Sequence, residues 1–219
     1  MNNKNVFSEI FKYLSISIIF SLIGLVVGNM LIPASIVYMA NTIVGVLMII
    51  ILILALVARK GMIPRRFSMN FVYLFTFMEG IFIYPIINYY LADLGVGMVL
   101  AILIATIVIF AGLSIYAKNN DSSNVLNFGR VLSFILVGII ISSVVNIFMG
   151  SSTLSIIISA LGVLLFSVYI IYDINLIKRS MEYSLINDKD DLSIHVLNLY
   201  VDLINILLDL LNIASRLDD

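Results

Sequence analysis

The chain has 219 residues, 62% of them hydrophobic and only 11% charged, with a formal net charge of −1. A mean hydropathy of +1.16 excludes an ordinary soluble domain, in which about a quarter of the residues are charged. The absence of cysteine excludes a disulfide framework, a thiolate metal site and a cysteine nucleophile, and no nucleic-acid partner is expected.

The first twelve residues carry Lys4, Glu9 and Lys12 and open into an apolar run without a small-residue cleavage site. They are therefore expected to be retained. A hydrocarbon core of ~30 Å takes roughly 20 apolar residues per helical crossing. Runs of that kind predict seven spans, over residues 13–32, 36–58, 70–91, 95–117, 126–148, 153–177 and 192–214. Spanning strands would alternate apolar and polar residues over about ten positions, and these runs are longer and continuous. The seams at Pro33, Gly61 to Ser68, Asp93 to Gly97, Lys118 to Asn124, Gly150 to Ser152 and Lys178 to Asp191 are short. The expected fold is an all-α integral membrane protein, a seven-helix bundle forming a single transmembrane domain over residues 1–219.

A cytoplasmic N-terminus collects Lys4, Lys12, Arg59, Lys60, Arg65, Arg66, Lys118, Arg130, Lys178, Arg179 and Lys189 on one side of the membrane. Of the 12 basic residues only Arg216 falls outside. That bias predicts N-in and C-out, hence an odd number of spans. Close packing is expected where Gly24 and Gly28 recur on span 1 and where Gly97, Ala101 and Ala105 recur on span 4, because helices in lipid approach through small residues. Pro85 removes a backbone donor from span 3 and predicts a kink there.

Span 7 carries His195, Asn198, Asp202, Asn205, Asp209 and Asn212 at alternating spacings of three and four, which puts all six on one helical face. Its other faces are Leu, Ile and Val, so this stripe must look into the bundle. Asparagines there can serve simply as hydrogen-bond glue between helices. Carboxyls are harder to accommodate, since one at mid-bilayer costs a few kcal/mol even on the lenient insertion scale.

Span 6 has a matching line of Ser155, Ser159, Gly162, Phe166, Tyr169 and Asp173. Were Asp173 and Asp202 to meet at ~4 Å with an effective dielectric near ~20, their repulsion when both ionised would be about 4 kcal/mol. One proton would then be shared between them, and a pH switch follows. Arg59, at the end of span 2, could latch such a pair or merely snorkel to the interface. Glu79 lies about ten residues into span 3, with no cation on its own helix. His195, near the cytoplasmic start of span 7, reads either as a solvated interfacial side chain or as a proton relay.

Phe71 to Tyr73, the run Phe166 to Ile177 and the run Asn198 to Leu207 resemble the Bax-inhibitor (transmembrane Bax inhibitor motif) family, specifically its bacterial calcium-leak members. The resemblance spans the whole chain, is most specific in spans 6 and 7, and includes the acidic end Asp218-Asp219. It implies a seven-helix fold with the last helix central, in a multi-pass protein of the cell membrane. It further implies a pH-sensitive calcium leak gated by an aspartate pair. Matched by motif, that pair is Asp173 and Asp202, with Arg59 as latch. Bacterial relatives place a glutamate within span 2, whereas Thr42 to Val57 contains no acid, so Glu79 is the candidate to take its place in the ion path. Calcium, as permeant ion, would find transient oxygen ligands at Asp173, Asp202 and Glu79, with Asn198, Asn205, Asp209 and His195 along the path and protons as regulator. No cofactor is implied, and the chain is not expected to be an enzyme.

Three alternatives stand beside this reading. A regulator of membrane-protein partners, such as a membrane-anchored ATP-dependent protease, would not need buried carboxylates. A proton-coupled transporter of another solute would. An intramembrane aspartyl protease matches Tyr172-Asp173, but around Asp202 the sequence is Tyr-Val-Asp-Leu and no proline follows Pro85, so the second half of such a site is missing.

Overall fold

The computed structural model describes residues 5–39, 66–120 and 122–218. Among them are five helices long and apolar enough to cross a membrane, and no strand. These are α1 (Val6–Leu31), α2 (Met69–Asn119), α3 (Gly129–Met149), α4 (Ser152–Glu182) and α5 (Ser193–Asp218). A short 3-10 helix, Ser123–Phe128, leads into α3. Residues 34–39 are also helical. The rest of the span expected over 36–58, and Arg59 with it, lies outside the described residues.

At ~1.5 Å per residue the 51-residue α2 would be roughly 77 Å long, more than twice a ~30 Å hydrocarbon core. It does not run through unbroken. Gly95 has φ +76 and ψ 161, angles that glycine tolerates and a side chain would not. The break falls on the seam expected between Asp93 and Gly97, and the arms 69–94 and 96–119 match the spans expected over 70–91 and 95–117. The backbone leaves helical angles at Gly95 and keeps them at Pro85, so proline does not set the break.

α1 begins seven residues before its expected span, and Val6, Ile10 and Leu14 are buried. Glu9 and Lys12 decorate a helix that is already packed. The α3–α4 turn is tight: Gly150 adopts a left-handed conformation with φ 62 and donates to Asn146 O at 2.8 Å. Ser151 then caps α4 by accepting from Leu154 N at 3.2 Å. At its other end α4 continues past the expected boundary to Glu182. There Lys178 Nζ donates to the carbonyls of Ala117 at 2.6 Å and Asn120 at 2.8 Å, satisfying acceptors at the C-terminal end of α2.

The chain divides into two compact units, Met1–Tyr89 with Ile186–Leu197 and Tyr90–Leu185 with Asn198–Asp219. In the first, α1 and the 69–94 arm meet through glycines. A Cβ on Gly24 would run into the carbonyl of Phe77, and one on Gly80 into that of Ser21. Gly28 lies under the Tyr84 ring, whose hydroxyl donates to Ile32 O. Asn88 donates to Asn29 at 2.6 Å, and Phe20 stacks on Tyr73 with ring centroids 5.1 Å apart. The other expected small-residue line behaves differently. Gly97, Ala101 and Ala105 are exposed, and a Cβ on Gly97 would meet nothing within 4 Å among the described residues. Small side chains permit close approach without compelling it.

A clasp closes one end of the first unit. Ser68 Oγ accepts from Phe71 N at 3.2 Å, Asp190 Oδ1 accepts from Met69 N at 2.9 Å, and Ser193 Oγ accepts from Phe67 N at 3.0 Å. Arg66 reaches Asp188 at 2.6 Å and Asp191 at 3.3 Å. The hydrogen bond to Asp188 raises the Arg66 guanidinium above its usual pKa. At Asp188, desolvation is the largest influence and pushes its carboxyl up. The Asp191 and Asp190 backbone N–H groups and Arg66 together outweigh it, leaving the pKa below the usual carboxylate value.

Two outcomes are expected. Gly80→Ala should destabilise the detergent-solubilised protein by about 1–3 kcal/mol through overpacking, while Gly97→Ala should leave its thermal unfolding unchanged. Because Asp188 is depressed in the folded protein, the clasp should be complete above the ordinary aspartate pKa of about 3.9 and weaken as pH falls through the folded value. Hydrogen-exchange protection of the 66–72 segment should drop on acidification in the wild type and show no such step in Asp188→Asn.

Candidate functional site

In the second unit α4 and α5 lie side by side, and the polar lines of spans 6 and 7 meet at several positions. Asn212 Nδ2 donates to Ser155 Oγ at 2.9 Å and to Ser159 Oγ at 2.8 Å. Asp209 rests over Gly162, where a Cβ would collide with its carboxyl, and is hydrogen-bonded to Ser159. Further along, Asn198 Nδ2 donates to Asp173 Oδ1 at 3.4 Å.

Asp173 and Asp202 are 3% and 4% exposed and are hydrogen-bonded to each other. Two carboxylates cannot make that bond, because neither has a hydrogen to donate. The contact exists only when at least one of them carries a proton. Asp202 Oδ2 is buried and has no hydrogen-bond partner among the described residues, so the pair receives little other help with its charge. Tyr169 stands near both acids and hydrogen-bonds Ser133 of α3. The site is therefore a pair of buried acids at a helix interface, bordered by an asparagine and a tyrosine.

The other expected residues fall in different places. Asn205 donates to Val201 O of its own helix at 2.8 Å, and this bond turns its amide back along α5. His195 is 5% exposed, with Nδ1 buried and making no hydrogen bond among the described residues. The solvated reading is thus corrected: α5 starts inside the packed first unit, where Leu192, Ser193 and Val196 are also fully buried. Glu79 is half-buried in the first unit, one turn from fully buried Thr76. No cluster of three metal-ligating side chains occurs among the described residues, so Asp173 and Asp202 stand as a pair and not as part of a three-acid calcium cage.

Some polar contacts were missed by the sequence reading. Buried Asn175 donates to Ser122 at 2.7 Å and to Ile171 O at 2.8 Å. Ser215 donates to Asp93 at 2.6 Å, joining the end of α5 to the break in α2. Tyr172 places its hydroxyl over Gly129, where a Cβ would come within 2.8 Å. Asn175 lies one turn beyond Ile171 and two residues from Asp173, a polar position on an apolar helix that could have been flagged. The Ser215–Asp93 contact has no local signal.

Long apolar helices with polar side chains paired inside them define a multi-pass helical membrane protein. The chain belongs to the Bax inhibitor family: the family described as "Inhibitor of apoptosis-promoting Bax1" matches residues 3–219. It is 29% identical over 183 residues to an uncharacterized membrane protein of Vibrio cholerae, covering 79% of this chain and 81% of that one. An uncharacterized protein of Campylobacter jejuni is 33% identical over 142 residues, 64% of this chain and 61% of the relative. One from Helicobacter pylori strain J99 is 28% identical over 129 residues, 59% of this chain and 56% of the relative. The match thus spans little more than half the length of the Helicobacter and Campylobacter proteins.

If the two acids share a proton, infrared spectra of the wild type should contain a protonated carboxyl band that loses intensity in the Asp173→Asn/Asp202→Asn double variant. A wild-type spectrum without such a band would contradict the hydrogen bond.

Proposed function

We propose that the protein is a pH-sensitive calcium leak of the bacterial plasma membrane, gated by Asp173 and Asp202. The observation that carries this reading is the hydrogen bond between two buried carboxyls, a contact made or broken by one proton. Protonation changes the charge of the α4–α5 interface by one unit where the dielectric is low. That change of charge is the proposed trigger that biases the packing of the interface with pH. Calcium as the permeant ion follows from the resemblance of the Phe166 to Ile177 and Asn198 to Leu207 runs to bacterial calcium-leak members.

The proposed topology has seven crossings, N-terminus inside and C-terminus outside. The break at Gly95 divides α2 into two of them, and the basic residues collect on one side. Arg59 is the proposed latch. Glu79 is proposed to substitute for the acid that span 2 lacks, so Glu79→Gln should reduce the flux.

The test is calcium flux into proteoliposomes from about pH 5 to pH 8, a range that brackets shared-proton titrations. Wild type should show pH-dependent flux, and Asp173→Asn or Asp202→Asn should flatten the profile. A wild type without flux at any pH in this range overturns the proposal.

A further inference from the structure

A cavity of about 430 Å³ opens in the second unit, lined by Asn146 of α3, Ser155 and Ser159 of α4, and Asp209, Asn212 and Arg216 of α5. The gate does not use it. Its volume would hold roughly a dozen waters at ~30 Å³ each, ample for a small ion that keeps part of its hydration shell. We propose that this cavity is a vestibule that binds a divalent cation, with Asp209 as its charged ligand and the Ser155, Ser159 and Asn146 oxygens as neutral ones.

The oxygens are held in place before any ion arrives. Asn212 gives both amide hydrogens to Ser155 and Ser159, at 2.9 and 2.8 Å, so it fixes the two hydroxyl oxygens and leaves each a further lone pair. Asn146 Oδ1 is fixed in turn by Ser151 N at 3.2 Å. Asp209 has its place because position 162 is glycine: any side chain there would displace the carboxyl. A carboxylate among hydroxyl and amide oxygens is a hard-ligand set, suited to calcium or magnesium and not to a soft metal.

Arg216 lines the same cavity two turns further along α5. The cavity thus carries one charge of each sign, which keeps binding weak and exchange fast, as a site on a conduction path requires. The opposite assignment, with Arg216 as the anchor, would make this an anion site and predicts phosphate binding instead. The vestibule rests on the calcium-leak reading for the identity of its ion, but it can be tested without flux.

Equilibrium dialysis of radioactive calcium against the full chain in phosphatidylcholine nanodiscs reads the site directly. Wild type should bind saturably with Kd on the order of a millimolar, as a single-carboxylate site does, and Asp209→Asn should weaken binding about tenfold or more. Gly162→Ala keeps the charge but crowds it, and should weaken binding several-fold, which covers the case of an Asp209→Asn protein that fails to fold. Calcium binding unchanged in Asp209→Asn, or saturable binding of inorganic phosphate in place of calcium, overturns the vestibule. Binding that depends on Asp209 in a protein without flux supports the vestibule and overturns the leak, while flux without such binding does the reverse.

Discussion

Every polar side chain within the hydrocarbon needs a partner, because lipid offers none, and the α4–α5 interface is organised by that demand. Four polar residues on α5 find their answer on α4: Asn212 on Ser155 and Ser159, Asp209 on Ser159, Asn198 and Asp202 on Asp173. Sliding the helices past each other by one residue would break several of these contacts at once. The register is therefore set by polar groups, while the surrounding Leu, Ile and Val fill space without specifying it. Gly162 is the one position where the register requires an absence.

The first unit is assembled by a different means. Gly24, Gly28 and Gly80 let α1 and the 69–94 arm approach until a side chain on one touches backbone on the other, and dispersion across that seam takes the place of hydrophobic exclusion. Polar bonds appear at its margins, where Asn88 meets Asn29 and Arg66 meets Asp188. The backbone contacts at Gly24 and Gly80 involve no titratable group. The interface of the second unit has the opposite character, because two buried acids, Asp173 and Asp202, lie within it.

Much of this was legible in the sequence for a physical reason: a helix in lipid must show its polar residues at helical spacing or not at all. The three-and-four alternation of His195 to Asn212 placed the stripe, and the counterpart line on span 6 identified Asp173. Helix limits were legible at Gly150 and Ser151, where turn and cap chemistry is local. Other features depend on partners far along the chain. The Ser215–Asp93 bond, the capture of α2 carbonyls by Lys178 and the clasp on Met69 each join segments many residues apart, and no periodicity reports them. Lys178 and Arg66 were read as topology charges because a basic residue at a membrane edge looks the same whether it snorkels or binds. Asn205 and Asn212 looked alike in the stripe, yet one bonds its own helix and the other its neighbour. Spacing fixes a face but not which acceptor is nearer.

The empty side chain at Gly162 has a consequence for how this sequence can change. Asp209 occupies the volume that any larger residue at 162 would need, so the two positions behave as a single heritable character. A substituent at 162 makes the Asp209 carboxyl shift, so a change at either position is felt at the other. The cost of an acid at 209 is thus carried partly by its neighbour, which gives up a side chain to make room for it.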